Sequence, residues 1–140
     1  PDDYVSDQAQ RLYCYKQMMS ARTGEELTAA ENEVRDRYGR FPEEVERAFA
    51  IMRLRMLARS MHVTKIDGNG GRLAVTFSDN ADLSPKLFAT LTKRNRQSYV
   101  NRQAYIWPFG GDPLTACATM LDALHRTISE LEEQRASLGV

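Results

Sequence analysis

Asn32-Glu33-Val34-Arg35-Asp36-Arg37-Tyr38-Gly39-Arg40-Phe41-Pro42 ends one charged helix and begins the next. Glycine suits the left-handed residue just past a helix C-terminus, and proline suits a first helical turn, where no backbone donor is needed. Gly39 and Pro42 therefore make a short, stiff corner. Upstream, Thr23 offers an N-cap with Glu26 three residues on, the capping-box spacing, so the helix before the corner runs from about Thr23 to Gly39. At about 100° per residue, Leu27, Ala30, Val34 and Tyr38 share an arc of roughly 80°. Glu25, Asn32, Glu33 and Asp36 fall on the broad opposite side and face outward. Asp36 also lies in the last turn, where the helix dipole disfavours an acid. A Glu33 to Arg37 pair at the i, i+4 spacing would support this face by a few tenths of a kcal/mol.

Outward from this helix the periodicity predicts two more. Between Asp7 and Ser20, Leu12, Tyr15 and Met19 recur at three- and four-residue intervals, with Cys14 and Met18 widening the stripe. After Pro42, Val45, Ala48, Phe49, Met52, Met56 and Leu57 carry a long helix to about His62. The period then changes. Val63-Thr64-Lys65-Ile66 and Leu73-Ala74-Val75-Thr76-Phe77 flank the turn-rich Asp67-Gly68-Asn69-Gly70-Gly71, the pattern of a β-hairpin. Ser84 and Pro85 open a shorter helix with Leu87, Phe88 and Leu91, and Ser98 to Trp107 is a strand-like run. Asp112 and Pro113 open a final helix whose Leu114, Cys117, Leu121, Leu124, Ile128 and Leu131 alternate three and four apart. The expected fold class is α+β: N-terminal antiparallel helices packed with a small β-sheet, a hairpin plus at least one further strand, and a long C-terminal helix. Residues 1–140 are expected to form a single domain with one shared core.

Composition narrows the function. Nineteen basic residues offset nineteen acidic ones, so the chain lacks a strong overall field for nucleic acid or an anionic membrane. Cys14 and Cys117 both lie among apolar neighbours and read as buried thiols, which fits a reducing, intracellular compartment. No apolar run approaches membrane-spanning length, and the expected setting is a longer cytoplasmic protein.

Catalysis needs convergent titratable groups, and the pool is thin. His62 and His125 are the two histidines, and both read as structural, His62 at the end of the long helix and His125 beside the final seam. Gly68-Asn69-Gly70-Gly71 lacks the lysine and Ser/Thr of a phosphate loop and precedes a strand. The cysteines have neither CxxC spacing nor matched histidines, so no metal is expected. Arg94, Arg96, Tyr99, Arg102 and Tyr105 admit two readings: a solvated loop and sheet face, or a basic and aromatic strip that contacts DNA.

Three blocks, in order, carry a resemblance. Arg11-Leu12-Tyr13-Cys14-Tyr15-Lys16, then Glu33-Val34-Arg35-Asp36-Arg37-Tyr38-Gly39-Arg40-Phe41-Pro42, then Met52-Arg53-Leu54-Arg55 resemble the C-terminal domain of bacterial transcription-repair coupling factor. The opening Pro1-Asp2-Asp3-Tyr4-Val5 is similar to that family's entry into the domain. The likeness runs from Pro1 to about Phe77. It implies a non-catalytic regulatory domain of an ATP-driven double-stranded DNA translocase that displaces stalled RNA polymerase and recruits nucleotide-excision repair. ATP and magnesium would belong to the parent's motor domains, with no cofactor here. The resemblance further implies that this domain docks on an excinuclease-B-like module and covers that module's excinuclease-A-binding surface. In the family, acids at the positions matching Glu33 and Asp36 meet basic residues of that module. Arg35 departs from the family pattern and puts a cation near the acidic face.

Overall fold

The computed structural model describes residues 2–79, 81 and 83–139, with side chains from Gln8 onward. The opening Pro1-Asp2-Asp3-Tyr4-Val5 block thus lies outside the described side chains. Five helices and four strands follow in the order α1 (Asp2–Ser20), α2 (Gly24–Tyr38), α3 (Glu43–Ser60), β1 (Val63–Asn69), β2 (Arg72–Phe77), α4 (Pro85–Arg94), β3 (Tyr99–Asn101), β4 (Ala104–Pro108) and α5 (Pro113–Ser137). The class is α+β, with a long C-terminal helix. The chain divides into two compact units, Pro1–Leu57 and Ala58–Val140, and the boundary falls inside α3.

In the first unit the ends of α2 are set locally. Thr23 Oγ1 accepts from the Glu26 amide at 3.1 Å, and Glu26 Oε2 reaches back to accept from the Arg22 amide at 2.6 Å. Gly39 closes the helix with φ 75° and its amide on the Arg35 carbonyl. Arg53 of α3 reaches Glu31 and Thr28 of α2, while Arg35 reaches Glu46, so α2 and α3 run antiparallel. Tyr13 of α1 meets Glu33 and Tyr38 of α2, which makes α1 and α2 antiparallel as well. The core joins Cys14 and Met18 of α1, Leu27, Ala30 and Val34 of α2, and Phe41, Val45 and Phe49. Leu27, Val34 and Val45 are completely buried, each contributing about 1.5–3 kcal/mol of transfer free energy.

One expectation is overturned here. Leu12, Tyr15 and Met19 do not face the core: they are exposed at 57%, 37% and 72%, whereas Cys14 and Met18 are buried. α1 carries apolar side chains on two arcs, and α2 and α3 cover only one of them.

The second unit holds an antiparallel sheet in the order β1-β2-β4-β3. Gly70 and Gly71, with φ 61° and 74°, form the two-residue turn of the first hairpin, since such turns need positive φ at both positions. The run from Ser98 to Trp107 is not one strand but a second hairpin, turning at Arg102 (φ 58°) and Gln103. Tyr105 and Ile106 are neighbours on β4, hence on opposite faces, and both are buried. Phe88 of α4 lies edge-on to Phe77 and against Tyr105. α4 packs on α5, whose buried residues are Ala116, Met120, Leu121, Leu124 and Thr127. Cys117, Leu114, Ile128 and Leu131 of the expected seam are only half-buried. Among the described residues no helix is long and apolar enough to cross a membrane.

Candidate functional site

The outward face of α2 is set by its inward one. Because Leu27, Ala30 and Val34 are held in the core, Glu25, Asn32, Glu33 and Asp36 are turned to the surface, and all four are exposed. They are not one cluster. Asn32, Glu33 and Asp36 share the last two turns of the helix, while Glu25 lies in its first turn, about 10 Å away along the axis from Asn32.

Neighbours decide what each acid can do. Glu33 Oε1 accepts a 3.1 Å hydrogen bond from the Tyr13 hydroxyl of α1. The Arg37 guanidinium does not pair with Glu33 directly. It lies over the Tyr13 ring at 4.5 Å and the Tyr38 ring at 5.5 Å. Those two rings meet edge-on at 5.6 Å. The Tyr13 hydroxyl foremost, then the adjacent Tyr38 and Tyr13 phenols, raises the Arg37 pKa above its ordinary value. Asp36 makes no hydrogen bond or ion pair with another described residue. Both carboxylates therefore present acceptor oxygens to solvent.

Arg35 does not sit among these acids. Its guanidinium lies 3.6 Å from Glu31 and 3.4 Å from Glu46, and 4.9 Å from the centre of the Phe41 ring. The departure from the family pattern is thereby absorbed on the α3 side of α2, away from Glu33 and Asp36. Tyr13 and Arg37 were missed as part of this site. Tyr13 and Glu33 stand ten residues either side of Thr23, so an antiparallel pairing about that turn would have placed them at one level.

The other candidates are dispersed. Tyr105 of the basic and aromatic strip is core, 1% exposed, and burial pushes its hydroxyl above the ordinary value of 10.0. Arg94 is paired with Glu130 of α5 at 2.6 Å. Arg96, Tyr99 and Arg102 are exposed. His62 is exposed at a positive φ of 63°, its amide on the Arg59 carbonyl and its carbonyl receiving the Ser78 amide, and His125 is exposed on α5. Cys14 is buried and Cys117 half-buried, both free, and burial raises both thiols. Among the described residues, no group of three His, Cys, Asp or Glu side chains is arranged to hold a metal ion. Gly70 and Gly71 turn a hairpin rather than open a helix, so their backbone does not fit a nucleotide phosphate. What remains is the exposed pair of carboxylates, Glu33 and Asp36, on the outward face of α2.

Comparison with known proteins bears on whose surface it is. The TRCF domain family model matches residues 1–88. The transcription-repair-coupling factor of Escherichia coli K12 is 31% identical over 99 residues, 71% of this chain and 9% of that protein. That of Myxococcus xanthus is 35% identical over 99 residues, 71% of this chain and 8% of that protein. The chain thus spans less than a tenth of the length of either relative. A crystal structure of the C-terminal domain of transcription-repair coupling factor superposes with a TM-score of 0.71 at 15% identity, covering 96% of this chain and 88% of that one. The fold likeness therefore extends past residue 88, where the family model ends, through the rest of the second unit.

Proposed function

Because the chain belongs to the TRCF domain family, we propose that it is the regulatory C-terminal domain of a bacterial transcription-repair coupling factor and that it acts in transcription-coupled nucleotide-excision repair by masking. In the closed state Glu33 and Asp36, with Asn32 beside them and Glu25 at the rim, contact basic residues of the parent's excinuclease-B-like module. The excinuclease-A-binding surface of that module is then covered. Engagement of RNA polymerase by the parent, an ATP-driven translocase on double-stranded DNA in the bacterial cytoplasm, opens the contact and exposes that surface. The domain itself supplies no catalysis.

The observation that carries this reading is Asp36. An acid in the last turn of α2 is disfavoured by the helix dipole by about 0.3–1 kcal/mol, and no described residue forms a hydrogen bond or ion pair with the Asp36 carboxylate. A cation from a partner would. Exposed charge pairs of this kind contribute about 1–3 kcal/mol in total, the size of a typical allosteric coupling. Such a contact can open, yet tethering at about millimolar effective concentration holds it closed.

The test is a calorimetric titration of this chain into the excinuclease-B-like module of the same parent at low salt, beside a Glu33→Lys, Asp36→Lys double variant. Binding by the original chain and none by the folded variant is the expected result. Equal binding by both would move the contact off this face, and no binding by either at millimolar concentration would remove the masking role.

A further inference from the structure

The arc of α1 left uncovered by its own core is a coherent surface. Leu12, Tyr15 and Met19 follow one another at spacings of three and four, the seam of a helix that packs on another helix. The pairing within the first unit extends this seam. Since α1 and α3 are each antiparallel to α2, they run parallel, and the Arg11–Glu44 ion pair fixes their relative height. Two turns beyond that pair, Met19 of α1 and Ile51 of α3 reach the same level, and Ile51 is 39% exposed. Ile51, seven residues after Glu44, lies on the face of α3 from which Glu44 reaches α1, and so continues the α1 stripe.

Cations predominate around these side chains, with two carboxylates already engaged: Glu44 by Arg11 and Glu26 by the Arg22 amide. Lys16 flanks the α1 stripe, and Arg22 and Arg55 lie about one turn beyond Met19 and Ile51. These three cations are exposed and make no ion pair with a described residue. Glu44, the carboxylate at the near end, is taken up by Arg11. A second copy of this chain would bring Lys16 against like charge, so self-pairing is disfavoured. An apolar helix flanked by acids matches both the seam and its rim.

We propose that the Leu12, Tyr15, Met19 and Ile51 surface docks an amphipathic helix with acidic flanks, supplied by another domain or protein. It uses none of Glu25, Asn32, Glu33 or Asp36, and so stands independently of the masking contact.

The test uses this chain and a synthetic amphipathic peptide of roughly three heptads, leucine at a and d and glutamate at e and g. Titration followed by backbone and methyl resonances should move Leu12, Tyr15, Met19 and Ile51 together. A Met19→Asp variant, altered at a side chain 72% exposed and so outside the core, should bind at least about tenfold more weakly with an unchanged melting curve. The same peptide with lysine at e and g should also bind at least about tenfold more weakly. Resonance changes confined to other residues, equal binding of the two peptides, or no binding would overturn the proposal. So would Met19-dependent dimerisation of the chain alone, which would make a second copy the occupant. Met19-dependent association with phosphatidylglycerol vesicles in preference to the acidic peptide would overturn it in favour of a membrane surface.

Discussion

The hydroxyl of Tyr13 on α1 donates to Oε1 of Glu33 on α2 at 3.1 Å, tying the acidic face of one helix to its neighbour. The bond leaves the second carboxylate oxygen of Glu33 open and restricts the rotamers from which it meets a partner. Tyr13→Phe deletes this restraint without touching the charge. Because the bond is exposed, the melting free energy should fall by no more than about 0.5 kcal/mol. Docking to the excinuclease-B-like module should weaken about two- to tenfold, the cost of ordering one freed side chain on binding. A loss as large as that of Glu33→Lys would mean that Tyr13 contacts the partner itself.

The corner after α2 depends on backbone conformation alone. Gly39 adopts φ 75° and ψ −136°, and a methyl group there would meet nothing within 4 Å. Gly39→Ala should therefore destabilise the fold by about 1–3 kcal/mol through backbone strain. Gly24→Ala, in equally open space but with ordinary helical backbone, should stabilise it by about 0.4–1 kcal/mol. Urea denaturation of the pair separates the two signs, and equal shifts would remove the conformational argument.

At the other end of α2, Thr23→Ala removes the acceptor for the Glu26 amide and should cost about 1 kcal/mol. Thr23→Ser keeps the oxygen and should cost much less. Loss of helical ellipticity from Thr23→Ala with no change in denaturation midpoint would contradict a cap that stabilises the folded state.

Burial raises Cys14 and Cys117 above the ordinary thiol value of 9.0, so the folded chain holds these protons to higher pH than the unfolded chain. Their effect on stability is flat below about pH 8, where both states are protonated. It turns destabilising as pH rises through 9.0, where only unfolded thiols ionise freely. Replacing both cysteines by alanine should flatten the alkaline loss of stability between pH 8 and about 10. Alkylation of the native chain at pH 7 should be slow until it unfolds.

The elements of this fold were legible where the signal is local. Thr23 with Glu26, Gly39 with Pro42, Ser84 with Pro85, and Asp112 with Pro113 each satisfy or spare backbone groups within one turn, so the sequence shows the helix ends directly. The outward placement of Glu25, Asn32, Glu33 and Asp36 was legible too, because α2 has a single apolar arc and its opposite side follows from the helical period.

On α1 the same reasoning drew one stripe through Leu12, Tyr15 and Met19, widened by Cys14 and Met18, and the structure buries only Cys14 and Met18 of it. A helix with two apolar arcs does not encode which one its own neighbours cover. That is decided by the pairing with α2 and α3. Tyr105 likewise changes from a strip residue to a core residue once β3 and β4 fold back at Arg102 and Gln103 and pair with β2. The sequence by itself determined where helices start and stop and which side of α2 is polar, because hydrogen bonds and side-chain period act within a few residues. Only the tertiary structure decided the β1-β2-β4-β3 order, the tie from Tyr13 to Glu33 and the uncovered seam of α1, because each depends on contacts between residues distant in the chain.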